Sequence, residues 1–189
     1  LKYMPNSDDN LEIQNLKKVI DYLNEYLKNS NKIDIHFVNH IHKILLNSVR
    51  GNEKEPGKIR TIQNWIGPKD CGMEEAIFIP PIPEDVPLLL DNLFKYMNDE
   101  FIDPLFVNLA ISHSQFETIH AYRDGNGRLG RALIPIQLAK LTDDRPILFL
   151  SEVIELYKPS YHKFLNESRK GNMLGFIKFF LQSIIEQCN

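Results

Sequence analysis

Residues 120–131 constrain this chain more than any other stretch. Their sequence is His-Ala-Tyr-Arg-Asp-Gly-Asn-Gly-Arg-Leu-Gly-Arg. Glycine on each side of Asn126 permits positive φ angles, so successive backbone N–H groups can turn inward toward an anion. Arg128 and Arg131 are three residues apart and hence on neighbouring points of one helical face, where both guanidinium groups could grip phosphate oxygens. The stretch predicts a phosphate-binding loop that opens a helix.

Two further side chains of this stretch indicate chemistry beside the loop. His120 has an unperturbed pKa near neutrality, which suits proton abstraction from a hydroxyl. Asp124 precedes the turn and is placed to hold a hard cation such as Mg²⁺ against phosphates. Taken singly, His120 could be a cation at a helix C-terminus and residues 124–127 a tight turn. Together with three arginines, these residues favour a catalytic site.

Composition limits the class of protein. A formal net charge of -3 and a pI of about 6.1 argue against a sequence-independent nucleic-acid binder, which needs a basic excess. No apolar run approaches the roughly 20 residues that span a bilayer, and no signal-peptide pattern opens the chain. The two cysteines, Cys71 and Cys188, do not form a disulfide framework. We therefore expect a cytoplasmic protein that binds neither nucleic acid nor membrane.

Apolar periodicity predicts a mainly α fold. An N-terminal helix is expected over about 11–28 and a second over 34–48. Another is expected over 84–98, and one from Pro104 delivers His120 at its C-terminal end. The helix after the loop should bend at Pro135. Two or three more helices should follow over 151–169 and 174–187.

Residues 68–83 contain a turn, the β-rich run of residues 76–79 and then three prolines. This pattern predicts a short β-hairpin that the prolines end. Two other sets have the spacing of metal ligands, but we interpret their side chains as structural. They are His36 with His40, and His113 with Glu117 and His120.

The central stretch resembles the signature of Fic-domain proteins, usually written H-x-F-x-[DE]-G-N-G-R-x-x-R. Seven of its eight fixed positions are met. Tyr122 replaces the usual Phe, and Ala121 stands where Pro is frequent. A Tyr side chain fills a Phe-shaped pocket if its hydroxyl finds a partner. Residues 56–67 also resemble the Pro-Gly-x-x-Arg…Gln-Asn-x-Ile-Gly segment of these proteins.

The resemblance implies transfer of AMP from ATP to a Ser, Thr or Tyr hydroxyl of a target protein. His120 would be the base and Asp124 the Mg²⁺ ligand. Gly127 favours nucleotidyl transfer, because family members that phosphorylate have Lys there. The nucleotide phosphates would be bound by Gly125, Asn126, Gly127, Arg128 and Arg131. The predicted hairpin would be a flap that lines up the target by strand addition, through Gly72, Ala76, Ile77 and Phe78.

The resemblance also implies a fold: one mainly α, single-domain Fic-type helical bundle over residues 1–189, with its core at about 34–187 and one small β-hairpin flap. Two alternatives to adenylylation stay open. The chain could be a nucleotide-binding regulatory module with attenuated catalysis, or a Fic enzyme that uses another donor or removes AMP.

Regulation and assembly are open as well. Many Fic proteins are inhibited by a helix with the pattern [ST]-x-x-x-E-[GN], whose Glu would pair with Arg131 here. The match from Ser151 to Glu155 is followed by Leu156 and lies in a segment ordinary for the fold. The inhibitory helix is therefore expected upstream of Leu1, on another chain such as an antitoxin, or not at all. A homo-oligomer is a further alternative.

Overall fold

The computed structural model describes residues 7–29, 32–68, 70–99, 103–142 and 148–188. Eight α-helices lie in these ranges, and two 3-10 turns, Met73–Glu75 and Pro83–Asp85, lie between the second and the third helix. The predicted helices are all present, in the predicted order, with ends shifted by a few residues. The helices are α1 (Ser7–Asn29), α2 (Ile35–Leu45), α3 (Val86–Asn98), α4 (Leu105–Ile119), α5 (Asn126–Thr142), α6 (Ser151–Leu156), α7 (Lys158–Arg169) and α8 (Met173–Cys188).

Helices α4 and α5 form the centre of the fold, because each contributes to two hydrophobic clusters. Phe116 of α4 and Leu133 of α5 belong to a cluster with α1, α2 and α3. Leu109 of α4 and Leu138 of α5 belong to a second cluster with α6, α7 and α8. A helix that is apolar on several faces is buried on all of them. The junction between α4 and α5, which carries the signature residues, is therefore held by both clusters.

Helix α1 is attached to the rest of the fold by a buried amide as well as by apolar packing. Asn15 is 1% exposed, and its Nδ2 donates to the carbonyls of Leu45 at 3.4 Å and Asn47 at 2.8 Å. These carbonyls lie at the C-terminal end of α2, where backbone acceptors lack helical partners. The first turns of α1 are thus fixed relative to α2.

The predicted β-hairpin is wrong. Among the described residues of segment 62–68 and 70–79, here called the flap segment, no strand forms, and one isolated antiparallel bridge joins Ile66 to Phe78. The 3-10 turn Met73–Glu75 occupies the residues that a longer ladder would need. The prolines that follow residue 79 have no N–H to donate, so pairing cannot extend in that direction either.

Helix α5 continues through Pro135 without a break, and the predicted bend there stays a prediction.

Of the helices described, none has the length and apolar character needed to cross a membrane.

Candidate active site

His120 ends α4 in a backbone conformation that few non-glycine residues adopt. Its φ is 48° and its ψ 56°, in the left-handed region, and its N–H still donates to Phe116. Such a conformation costs of order 1 kcal/mol for an L-residue and persists where the surroundings enforce it. The turn sends the chain away from α4 at once, so that the imidazole and the following loop share one space.

Arg60 and Asn64 hold this turn in place. Arg60 is 2% exposed, and its Nε donates to the His120 carbonyl at 3.0 Å. The backbone N–H of Arg60 donates to the Ala121 carbonyl at 3.0 Å. Asn64 Nδ2 donates to the carbonyls of His120 and Tyr122, at 3.3 and 3.2 Å. The buried guanidinium also complements the negative end of the α4 dipole. Sequence reasoning noted both residues only as part of a family-like segment.

The imidazole of His120 is neutral at physiological pH. Burial lowers the pKa of His120 to about 4, and the positive charges of Arg169 and Arg60 act in the same direction. Nδ1 lies 3.4 Å from the Glu117 carbonyl, a weak contact that favours the tautomer with its proton on Nδ1. The lone pair is then on Nε2, which makes this nitrogen available as a proton acceptor.

The loop of residues 120–127, here called the anion loop, is closed by the side chain of Asn126. Its Oδ1 accepts the Tyr122 N–H at 2.9 Å, and its Nδ2 donates to the Tyr122 carbonyl at 2.7 Å. Asn126 is 1% exposed and is the first residue of α5. Gly125 has a φ of 77°. Because the side-chain amide is used inside the loop, the donors left for an anion are the backbone N–H groups that open α5.

A second buried histidine, His42 of α2, supports the anion loop from behind. Its Nδ1 accepts the Gly57 N–H at 2.7 Å, so Nε2 carries the proton and donates to the Asp124 carbonyl at 2.9 Å. Burial lowers the pKa of His42 to about 4. A Cβ on Gly125 would come within 3.0 Å of Nε2, so this glycine allows the close approach. Sequence reasoning missed His42, which has no motif of its own.

Tyr122, the departure from the usual Phe, is fully buried and satisfied. Its hydroxyl donates to Asn39 Oδ1 at 2.7 Å, and its ring stacks on His42 with centroids 4.0 Å apart. The Tyr122 hydroxyl thus has the partner that it needs in a pocket shaped for Phe, and its ring adds to the packing behind the anion loop.

Asp124 presents its carboxylate at the mouth of the loop. Oδ1 accepts the Gly125 N–H, and the side chain is 30% exposed. Gly51, with a φ of 89°, packs against this carboxylate, since a Cβ there would lie 3.0 Å from Oδ2. Gly51 is a further residue that the sequence did not single out.

The two signature arginines differ in their surroundings. Arg128 is 11% exposed and is held at both ends of its guanidinium: Nη1 donates to Glu12 at 2.8 Å, and Nη2 to the Arg50 carbonyl at 2.7 Å. Arg131 makes no hydrogen bond or ion pair with any residue that the structure describes. One arginine is therefore immobilised, whereas the other is available to a ligand.

Glu117 lies behind the loop as a buried carboxyl. It is 5% exposed, and its Oε1 has no hydrogen-bond partner. Burial raises the pKa of Glu117 to about 7 against the opposing charges of Arg131 and Arg169. Oε1 fills the space beside Gly130, where a Cβ would come within 2.3 Å of it. A larger share of this carboxyl is thus protonated at neutral pH than for an exposed Glu.

His113 does not belong to a metal triad. Its Nδ1 lies 3.2 Å from the Gly130 carbonyl and must donate to it, so Nε2 accepts from the Tyr161 hydroxyl at 3.0 Å. Both ring nitrogens are used. In the described part of the chain, no three His, Cys, Asp or Glu side chains are grouped as a metal site. The interpretation of His36 and His40 as structural stays a prediction.

The predicted catalytic residue, the predicted Mg²⁺ ligand and the five predicted phosphate-binding residues all line one cavity of about 330 Å³. The structure adds residues from other elements that sequence reasoning did not assign. The cavity carries five cationic side chains against two carboxylates, and this excess of positive charge suits a polyphosphate. The cations are Arg50, Arg123, Arg128, Arg131 and Lys158, and the carboxylates are Asp124 and Glu155. Glu155 is paired with Lys158 at 2.8 Å.

Phe78 of the flap segment contacts α7 and, through it, the end of α4. The Arg169 guanidinium lies over the Phe78 ring, 3.9 Å from its centroid, and also donates to the Glu117 carbonyl at 3.1 Å. Phe78 is thereby tied to the last turn of α4. Of the other predicted flap residues, Gly72 and Ala76 flank the 3-10 turn, and Ile77 is 64% exposed.

A model of the Fic/DOC family matches residues 32–138, more than half of the chain. The chain belongs to the Fic/DOC family. Curated relatives named protein adenylyltransferase Fic include those of Drosophila erecta, 27% identical over 174 residues, and Aedes aegypti, 25% identical over 175 residues. Each alignment covers 91% of this chain and 32% of the relative. The chain thus spans about a third of the length of these relatives.

Solved structures show the same fold. A Fic family protein from Desulfovibrio desulfuricans G20 matches with a TM-score of 0.77 at 20% identity, covering 97% of this chain and 53% of that one. Fic-1 from C. elegans matches with a TM-score of 0.70 at 21% identity, covering 97% and 52%. BepC from Bartonella tribocorum, solved with bound AMPPNP, matches with a TM-score of 0.57 at 16% identity, covering 92% and 86%.

Proposed function

We propose that this protein transfers AMP from ATP to a Ser, Thr or Tyr hydroxyl of a target protein. The observation that carries the proposal is a neutral, partly exposed His120 in a cationic cavity that the seven matched signature residues line. Relatives named protein adenylyltransferase support the reaction class.

The reaction needs a base and a site for a polyphosphate. The target hydroxyl oxygen attacks the α-phosphorus, its proton passes to Nε2 of His120, and the bond to the bridging oxygen breaks so that pyrophosphate leaves. His120 suits the first part because its Nδ1 side faces the Glu117 carbonyl and leaves Nε2 free. The N–H groups at the start of α5 and the charges of Arg128 and Arg131 stabilise the phosphoryl oxygens.

Asp124 is the residue that would hold Mg²⁺. Its carboxylate lines the cavity, and one carboxylate together with substrate phosphates is a usual ligand set for this ion. When bound, Mg²⁺ would neutralise charge on the phosphates. Gly51 keeps the space beside Oδ2 free of a side chain.

The experiment compares ATP labelled at the α-phosphate with ATP labelled at the γ-phosphate, each with Mg²⁺ and a cell lysate. Relative to the same lysate without this protein, we expect added labelling from the α position alone, because kinases of the lysate label proteins from the γ position in either case. His120→Ala should reduce the added label at least about 100-fold, since a general base contributes that much. His36→Ala is the matched control, because His36 is exposed on α2.

Each alternative has its own outcome. Added label from the γ position would indicate phosphoryl transfer. ATP binding by calorimetry without label would indicate a regulatory module. If His120→Ala labels as strongly as wild type, the assignment of the base is wrong. A donor panel that includes UTP and a phosphocholine donor, with products read by intact mass, tests other donors and removal of AMP.

A further inference from the structure

Glu12 contributes a carboxylate from α1 to the signature arginine Arg128, although α1 lies outside the residues that match the family model. The two side chains are joined at 2.8 Å between Glu12 Oε1 and Arg128 Nη1. The Arg128 side chain is 11% exposed and that of Glu12 is 39% exposed, so the arginine is buried while its carboxylate partner is partly open to solvent. Charge-assisted hydrogen bonds of this kind are among the stronger side-chain contacts in proteins.

Glu12 lines a space of about 370 Å³ between α1, the start of α5 and residues 149–151. Arg128 and Arg131 line both this space and the cavity that contains His120, whereas Glu12 lines only the first. Arg128 is therefore within reach both of Glu12 and of an anion in the His120 cavity.

Helix α1, which carries Glu12, is fixed relative to α2. Asn15, three residues after Glu12 and hence on a neighbouring point of the same helical face, ties α1 to the end of α2. The other terminal nitrogen of Arg128, Nη2, donates to the Arg50 carbonyl at 2.7 Å and lies 3.5 Å from Asp124 Oδ1. Removal of Glu12 would leave Nη1 without its partner and return rotamer freedom to a long side chain.

We propose that Glu12 is a positioning residue for nucleotide binding: it holds Arg128 in the orientation that receives the outer phosphates of ATP, and α1 is thereby part of the nucleotide site. The inference rests on the proposed function, in which Arg128 grips the pyrophosphate end. Preorganised side chains bind more tightly than those that must be ordered on binding.

The test is calorimetry of the full chain with ATP plus Mg²⁺ and, separately, with AMP, which lacks the phosphates assigned to Arg128. Glu12→Gln should weaken ATP binding by about three- to ten-fold, the scale of one charge-assisted contact. Its affinity for AMP should match that of wild type. Asp21→Asn, exposed further along α1, is the matched control and should bind both ligands as wild type does.

Unchanged AMP affinity also shows that the variant is folded. Glu12→Asp, which keeps the charge but shortens the side chain, is the second variant and should lose part of the ATP affinity. Equal or tighter ATP binding by Glu12→Gln overturns the inference, as does an equal loss for both ligands. If wild type itself does not bind ATP, the proposed function fails. If only Arg128→Ala weakens ATP binding, the site stands and the role of Glu12 does not.

Discussion

The anion loop and the flap segment meet at the backbone of His120, and they are held in place to very different degrees. The loop is closed by Asn126 and supported by His42, and its residues Ala121 and Tyr122 are fully buried. The flap segment has one β-bridge, and three of its apolar side chains, those of Ile62, Ile77 and Ile79, are each at least half exposed.

This difference separates two tasks. Chemistry on a phosphate requires groups fixed to within a fraction of an ångström, and a loop with satisfied backbone groups provides that. A target segment, in contrast, gains affinity from unpaired backbone and exposed apolar side chains that it can cover. We infer that the loop is built before substrates arrive and that the flap segment is completed by the target.

The largest expected effect follows from removal of the amide that closes the loop. Asn126→Ala leaves the buried Tyr122 N–H without a partner and leaves the Tyr122 carbonyl with only the Asn64 amide, so it should lower the free energy of unfolding by about 1–3 kcal/mol. The matched change in the flap segment is Gln63→Ala, whose amide donates to the Pro80 carbonyl at 2.9 Å in a half-buried position. It should cost less than about 1 kcal/mol. Urea unfolding measures both, and equal losses would contradict the comparison.

A smaller effect should appear in the pH dependence of stability, since the shifted groups lie behind the loop. Burial lowers the pKa of His42, His113 and His120 to about 4 in the folded protein, from 6.5. The stability that these three neutral side chains contribute to the folded state is fully present above pH 6.5 and is lost as pH falls toward 4. Burial raises the pKa of Glu117 from 4.5 to about 7, so its contribution is present below pH 4.5 and is lost as pH rises toward 7.

Three histidines act against one carboxyl between pH 4.5 and 6.5, so the midpoint of thermal unfolding should rise over this range and decline slightly from pH 6.5 to 7. Glu117→Gln should abolish the decline, because the amide does not titrate. A wild-type midpoint that falls steadily from pH 4.5 to 6.5 would mean that the carboxyl outweighs the imidazoles.

The smallest effect on stability is expected in the flap segment itself. Ile77→Ser should change the free energy of unfolding by no more than about 0.5 kcal/mol, because the side chain is 64% exposed. ATP affinity should not change, whereas labelling of the target protein should fall. Leu88→Ser on α3 removes an equally exposed side chain away from the site and serves as control. Equal labelling by the two variants would remove the support for target docking at Ile77.

Much of the fold could be predicted because its signals are local. The periodicity of apolar residues predicted where the helices lie, and proline and glycine indicated where they begin or end. Residues 68–83 show the limit of this reasoning. The β-rich run of residues 76–79 predicted strands, but pairing needs a partner with free donors, and the 3-10 turn Met73–Glu75 and the following prolines leave one bridge.

The supporting residues of the site could not be predicted, because their partners are distant in sequence. Glu12 and Arg128 are 116 positions apart, and His42 and Asp124 are 82 apart. Neither Glu12 nor His42 has a local pattern that distinguishes it from surface residues of the same type. Arg60 lay in a family-like segment, yet its contact with the His120 carbonyl appears only in the folded chain.

The sequence by itself determined the order of the helices and the placement of a histidine, a carboxylate, two glycines and two arginines from the end of α4 to the first turns of α5. These properties depend on residues close together in the chain. The tertiary structure decided that His120 is neutral, that Arg128 is tied to α1 while Arg131 is not, and that the flap segment has no strands. Desolvation and long-range pairing set these properties, and both exist only after distant segments have packed.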